Sequence, residues 1–218
     1  MALKSSGIDF MKSRKTLLRK SRLYLILDGQ ALNKRFFKKI YPALSDGKIN
    51  IVQLRDKEST KEQVLEFALN ALKYLKADTL FIINDYIDLA LADFFDGVHL
   101  GQEDMPLKQA REILGKNKII GISCHSLAQA LKAQRAGADY IGIGPVFATA
   151  TKPDYKPIGL KTLRSLAGKI KIPYFAIGDI QKGNLKDISA CGAKRIAVCR
   201  AILRSSDPKL AARQLILS

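Results

Sequence analysis

Eight short apolar runs recur along the chain, at residues 23–27, 49–54, 80–83, 97–100, 119–122, 140–143, 174–177 and 195–198. Their length and their content of Ile, Val, Leu, Phe and Tyr predict β-strands. Between them the period changes to a helical one. Residues 61–75 set Val64, Leu65, Phe67, Ala68, Leu72 and Leu75 on one stripe. Residues 126–136 open on Ser126, a good N-cap, and stop at Gly137, while Asp207-Pro208 supplies a cap and a first-turn proline for the last helix. Strand and helix alternate about eight times at a spacing of roughly 25 residues, which predicts a parallel sheet covered by helices, closed as a single (β/α)8 TIM barrel. Continuously apolar strands suit a sheet buried on both faces. An open doubly wound sheet is the competing architecture. Its nucleotide-binding form needs GxGxxG after the first strand, where this chain has Leu27-Asp28-Gly29-Gln30; the later Gly142-Ile143-Gly144 lacks the third glycine.

Polar residues follow the apolar runs with regularity. Gln53, Arg55, Asp56 and Lys57 close the second run, Asn84 and Asp85 the third, Gln102, Glu103 and Asp104 the fourth, and Ser123, Cys124 and His125 the fifth. Thr149, Thr151 and Lys152 follow the sixth, Gly178 and Asp179 the seventh, and Arg200 the eighth. In a barrel these strand ends converge on one rim, which is where barrel enzymes place their chemistry. Gln53, Arg55 and Lys57 alternate and so share a side of an extended backbone, where two cations and an amide suit an anion such as a diphosphate. Asp85 and Asp104 fall on adjacent strand ends and could hold Mg2+, with phosphate oxygens and water completing the shell; either could instead be a helix N-cap. Thr149, Thr151 and Lys152 lie in the longest irregular segment, residues 146–158, and offer two hydroxyls and an ammonium to a phosphate. Gly178 offers a backbone N–H. His99 sits inside an apolar run and reads as a packed, hydrogen-bonded histidine. His125 could serve as an acid–base group or make a structural hydrogen bond.

The 218 residues carry a formal charge of +17, with 47% hydrophobic and 26% charged positions, a soluble globular composition. No apolar run approaches the roughly 20 residues that span a bilayer, so no membrane partner is expected. Residues 1–22 hold seven basic residues against Asp9. We expect residues 1–21 to form a basic N-terminal extension, a solvated leader or a short helix against the barrel base, ahead of a catalytic barrel over residues 22–218. With Phe10 as its one aromatic and no nucleic-acid motif after it, the leader does not argue for nucleic-acid binding. An organelle transit peptide would share its bias toward Ser, Lys and Arg. Cys124, Cys191 and Cys199 are dispersed and odd in number, which argues against a disulfide framework or zinc site and for a cytoplasmic protein.

Several blocks resemble the thiamine-phosphate synthase family: Val52-Gln53-Leu54-Arg55-Asp56-Lys57, Asn84-Asp85, Asp96-Gly97-Val98-His99-Leu100-Gly101-Gln102-Glu103-Asp104-Met105-Pro106, Gly121-Ile122-Ser123-Cys124-His125-Ser126, and Gly142 through Phe147 with Thr149-Ala150-Thr151-Lys152. The likeness runs in order over residues 24–208. It implies a TIM-barrel transferase that joins hydroxymethylpyrimidine diphosphate to a thiazole phosphate, uses Mg2+, and releases thiamine phosphate and pyrophosphate. By the resemblance, Gln53, Arg55, Lys57 and Asn84 contact the pyrimidine diphosphate, Asp85 and Asp104 hold Mg2+, and Ser123 and Lys152 meet the diphosphate. Thr149, Thr151, Gly178, Cys199 and Arg200 surround the thiazole phosphate. No nucleophile is implied; Arg55, Lys57 and Lys152 stabilise charge.

Two positions depart from the family pattern. Asp179 stands where a second glycine is usual, and Arg200 where a small polar residue is usual. A carboxylate near a phosphate repels it unless a cation neutralises it, so an Asp179–Arg200 ion pair is expected. Two other readings compete: a thiazole tautomerase, a related barrel that would not need the metal and diphosphate set, and a non-catalytic basic protein that binds nucleic acid. Phosphorylated small molecules are the expected partners. Homo-oligomer formation is left open by the sequence.

Overall fold

A computed structural model describes residues 7–29, 34–46, 48–149 and 155–216. Eight parallel strands close into a barrel in sequence order, β8 pairing back to β1. They are β1 (Leu23–Asp28), β2 (Ile51–Arg55), β3 (Leu80–Asn84), β4 (Gly97–Leu100), β5 (Ile119–Cys124), β6 (Tyr140–Ile143), β7 (Tyr174–Ile177) and β8 (Ile196–Val198). The described helices are α1 (Gly7–Lys20), α2 (Lys34–Ser45), α3 (Lys61–Leu72), α4 (Ile87–Ala90), α5 (Leu107–Leu114), α6 (Leu127–Arg135), α7 (Gly159–Ser165), α8 (Leu185–Ala190), α9 (Arg200–Leu203) and α10 (Pro208–Gln214). All eight expected strands form, and so do the expected caps. The side chains of Ser126 and Asp207 accept from the backbone N–H groups of Gln129 and Leu210, Pro208 opens α10, and Gly137 ends α6 at φ 90°.

The two-residue period of each strand sorts its side chains into two cores. One alternate set, with Leu23, Leu25, Val52, Leu54, Phe81, Ile83, Val98 and Ile120, faces the helical ring. The other fills the barrel, with Tyr24, Ile51, Leu80, Ile82, Ile119, Tyr140, Phe175 and Ala197. Read upward along the inward face, β2 runs Ile51, Gln53, Arg55; β3 runs Leu80, Ile82, Asn84; and β5 runs Ile119, Gly121, Ser123. Each goes from an apolar lower layer to a polar rim. Within the lower layer, the Phe175 ring stands edge-on to Tyr24 and to Tyr140, with centroids 5.3 Å and 5.8 Å apart. Truncating a ring buried this completely costs about 3–5 kcal/mol. Gly121 makes room for the Tyr140 ring: a Cβ there would lie 2.0 Å from its Cζ.

Helix α1 closes the base. Leu18 is buried against the inner cluster and Leu17 packs beside it. Arg14 pairs with Asp96 at 2.9 Å and Lys15 with Asp139 at 3.0 Å. The expected basic helix against the barrel base is thus present from Gly7, and two of its cations hold it to the carboxylates that precede β4 and β6. Among the described residues no helix is long and apolar enough to cross a membrane.

Candidate active site

At the opposite end the polar rim encloses one cavity. It is lined on the β1–β5 side by Asp28, Gln53, Arg55, Asn84, His99 and Ser123, and on the β6–β8 side by Thr149, Gly178, Asp179, Cys199 and Arg200. Nine of the residues expected at the site therefore share one wall-to-wall space although they come from six separate strand ends. Lys57 does not line that space; two residues past the strand end, it reaches sideways, and its Nζ lies 3.1 Å from Asp85. Thr151 and Lys152 lie outside the described residues.

Asp85 and Asp104 come together. Asp85 lies beside Asp104, and its carboxyl is pushed above the ordinary carboxylate range by burial first and by Asp104 second, against the pull of Lys57. Neither is a helix cap. Helix α4 is capped by the backbone of Tyr86, and α5 follows Pro106; neither helix has a side-chain cap bond. Asp104 instead accepts from the N–H of Gly101 at 2.6 Å, which closes its own loop. Asp85 sits at φ 62°, a left-handed conformation that costs a non-glycine residue roughly 1–2 kcal/mol. Two carboxylates forced together need a proton or a cation between them. A hard divalent ion is one cation that fits a carboxylate pair, since it keeps water and phosphate oxygens as its other ligands; among the described residues no cluster of three or more metal-ligating side chains forms.

The β7–β8 side is built around Arg200. Its guanidinium lies 2.8 Å from Asp179, and the same nitrogen is 3.5 Å from the Thr149 hydroxyl. The expected ion pair is therefore in place, and it cancels the charge of the Asp179 carboxylate. Asp179 is held further by Gln181 Nε2 at 3.0 Å and itself sits at φ 45°. Gly178, at φ 109°, is required by close approach: a Cβ would stand 2.5 Å from the Pro145 Cα.

A family model described as thiamine monophosphate synthase matches residues 23–202. The chain belongs to the thiamine monophosphate synthase family. A thiamine-phosphate synthase of Synechococcus sp. (strain WH7803) is 45% identical over 206 residues, which is 93% of this chain and 58% of that relative, so the chain spans little more than half of its length. A thiamine-phosphate synthase of Chloroflexus aurantiacus (strain ATCC 29366 / DSM 635 / J-10-fl) is 43% identical over 196 residues, 89% of this chain and 90% of that protein. The solved structure of thiamine phosphate pyrophosphorylase from Pyrococcus furiosus matches with a TM-score of 0.78 at 38% identity, over 91% of this chain and 95% of that one.

Within this thiamine monophosphate synthase barrel, sequence reasoning passed over Asp28. Asp28 ends β1 and accepts from the Cys199 thiol at 3.3 Å; burial, then Asp28, pushes that thiol up to about 12. Its strand-end position was the available signal. His99 is the packed, hydrogen-bonded residue expected, yet it also lines the cavity, with Nδ1 3.0 Å from the Tyr140 hydroxyl and Nε2 2.9 Å from the Ser123 hydroxyl. His125 lines the cavity too; its Nδ1 bonds to the Gly144 carbonyl and its ring packs on Tyr155, with centroids 4.8 Å apart.

Proposed function

We propose that the chain joins hydroxymethylpyrimidine diphosphate to thiazole phosphate, forming thiamine phosphate and pyrophosphate, with Mg2+ held by Asp85 and Asp104. The observation that carries this reading is the paired carboxylates beside a cavity rimmed by Arg55, Asn84 and Ser123. An isomerase acting on the thiazole phosphate alone has no use for such a pair. When bound, the metal would neutralise negative charge on the diphosphate.

The chain's own residues supply the rest. Gln53, Arg55 and Asn84 orient the pyrimidine diphosphate from β2 and β3. Arg55 and Lys57 offset the charge that grows on the departing pyrophosphate, the step at which fixed cations in a dry site are most effective. Loss of pyrophosphate leaves a cation on the pyrimidine methylene, stabilised by the electron-rich aminopyrimidine ring. The thiazole nitrogen donates its electron pair to that carbon and completes the new C–N bond. Arg200, the backbone N–H at Gly178 and Thr149 orient the thiazole phosphate so that its nitrogen faces the carbon. Positioning and charge stabilisation suffice for such a reaction, and a nucleophilic side chain is not required. Thr151 and Lys152 belong to the same proposal as phosphate contacts. The reading places the reaction in the cytoplasm, in keeping with three cysteines that remain free.

The test is direct. The purified chain, both substrates and Mg2+ should yield thiamine phosphate and pyrophosphate in equal amounts, and chelation should stop the reaction. Isomerisation of the thiazole phosphate without any use of the pyrimidine diphosphate would refute the proposal in favour of a tautomerase.

A further inference from the structure

A chain of hydrogen bonds crosses the barrel beneath the cavity. Gln53 Nε2 donates to the Tyr24 hydroxyl at 2.8 Å, Tyr24 and Tyr140 hydroxyls are 2.9 Å apart, Tyr140 is 3.0 Å from His99 Nδ1, and His99 Nε2 is 2.9 Å from the Ser123 hydroxyl. Five strands contribute one residue each. Tyr24 and Tyr140 are sealed from solvent, Gln53 is 1% exposed and His99 9%. Both ends, Gln53 and Ser123, line the cavity. The far atom of the Gln53 amide, Oε1, is buried and has no hydrogen-bond partner among the described residues.

Proton counting fixes what such a chain can do. Each hydroxyl has one proton to give, and a neutral imidazole donates from one nitrogen while accepting at the other. With Gln53 Nε2 turned to Tyr24, the Tyr24 proton must go to Tyr140, the Tyr140 proton to His99 Nδ1, and the His99 Nε2 proton to Ser123. Ser123 is then left with a free O–H for the cavity, and Gln53 presents its carbonyl there. Turning the Gln53 amide over reverses every link. Tyr24 donates to Gln53, Tyr140 to Tyr24, His99 Nδ1–H to Tyr140, and Ser123 to His99 Nε2. The cavity then meets an amide N–H at Gln53 and only lone pairs at Ser123. A mixed order leaves one buried pair with no proton between its atoms, or with two, which disfavours it by about tenfold or more.

We propose that these five side chains form one proton-ordered wire that ties the face Gln53 shows the ligand to the face Ser123 shows it, so that the site reads a hydrogen-bond donor at one end and an anionic oxygen at the other as a single pattern. For the identity of the ligand this rests on the proposed reaction; the wire itself does not. The 4-amino group of the pyrimidine supplies the donor to Gln53 Oε1, and the diphosphate supplies the acceptor for Ser123 O–H. A pyrimidine carrying an oxo group in place of the amine turns Gln53 over, and the wire then aims Ser123 lone pairs at the diphosphate. Rejection of the oxo compound therefore depends on Tyr140, a positioning residue that does not line the cavity.

Two measurements test this. In the free wild-type protein, 15N spectra of the imidazoles should show His99 as the neutral tautomer protonated at Nε2. There are two histidines, and a His125→Asn variant identifies the other signal. A doubly protonated ring at His99 uncouples the two ends and overturns the proposal, whatever the enzyme's substrate proves to be; an Nδ1–H tautomer overturns the resting order that turns the Gln53 carbonyl to the ligand. The second measurement is the ratio of kcat/KM for the amino and oxo pyrimidine diphosphates. Tyr140→Phe keeps the ring and cuts the wire, and it should lower that ratio by about tenfold. Loss of activity by the same factor on both compounds marks a merely structural role and overturns the coupling. Failure of the wild-type protein to use either pyrimidine refutes the proposed reaction, and the protonation of His99, neutral or doubly protonated, then still decides the wire.

Discussion

Aspartates at the two ends of this barrel do opposite things. Below, Asp96 and Asp139 precede β4 and β6. Asp96 accepts from the N–H of Phe81 at 2.7 Å and pairs with Arg14; Asp139 accepts from the N–H of Ile120 at 2.9 Å and pairs with Arg111 and Lys15. Every acceptor is used, and the result is a clamp that holds α1 and neighbouring strands together. Above, Asp85, Asp104 and Asp179 follow β3, β4 and β7. Two of them sit at positive φ, and Asp85 and Asp104 crowd one another. The lower set meets cations and backbone N–H groups on each carboxylate, whereas in the upper set Arg200 cancels Asp179 but Asp85 and Asp104 share one place, with Lys57 beside Asp85. That division is the one expected of a barrel whose N-terminal face serves stability and whose C-terminal face serves chemistry.

Substitutions that separate activity from stability sharpen this contrast. Asp104→Ala should lower the rate of pyrophosphate release by roughly a thousandfold, because the charge that offsets the leaving group depends on the metal it would hold; its melting temperature should stay near that of wild type. Asp104→Asn, which can still accept from Gly101, separates loss of charge from loss of loop shape. Equal loss of melting temperature at both ends would erase the contrast. At the base, Asp139→Ala should destabilise the fold by about 3 kcal/mol in urea titration, since it strands a partly buried guanidinium and a backbone N–H, and the folded fraction should keep its kcat. Next, Arg200→Ala should raise KM for the thiazole phosphate about tenfold and leave KM for the pyrimidine diphosphate unchanged. A rise in both would mean that Arg200 serves the whole cavity.

The effect with no counterpart at neutral pH concerns Cys199. Its folded thiol is raised from 9.0 to about 12, so between those values the unfolded chain releases a proton that the folded chain keeps. Stability should then fall as pH climbs from 9 toward 12, by at most about 1.4 kcal/mol per pH unit from this group. Cys199→Ala should flatten that slope in melting curves taken at pH 9, 10 and 11.

The strands were legible because a sheet buried on both faces leaves nearly unbroken apolar runs. Their ends moved by a residue or two. The second run was expected from residue 49, whereas β2 begins at Ile51 even though Asn50 already bonds to Leu23 and Leu80 through its backbone. The rim was legible for the same reason, since polar residues placed just after such runs must gather in a barrel. Lys57 shows the limit of period-two reasoning: past Arg55 the chain leaves the strand, and alternation no longer says where the side chain goes. The links among Gln53, Tyr24, Tyr140, His99 and Ser123 could not be read at all. Tyr24, His99 and Tyr140 look like members of apolar segments, and their partners are brought to them by closure of the sheet, which no local pattern encodes.

Gly178 sets a boundary for anyone wishing to reshape the β7–β8 side of the cavity. With 2.5 Å between an added methyl and the Pro145 Cα, even alanine would wedge the end of β7 away from the segment that follows β6. Mutational libraries aimed at new acceptors should leave that position fixed and diversify Asp179, Arg200 and Thr149, whose side chains meet in open space above it.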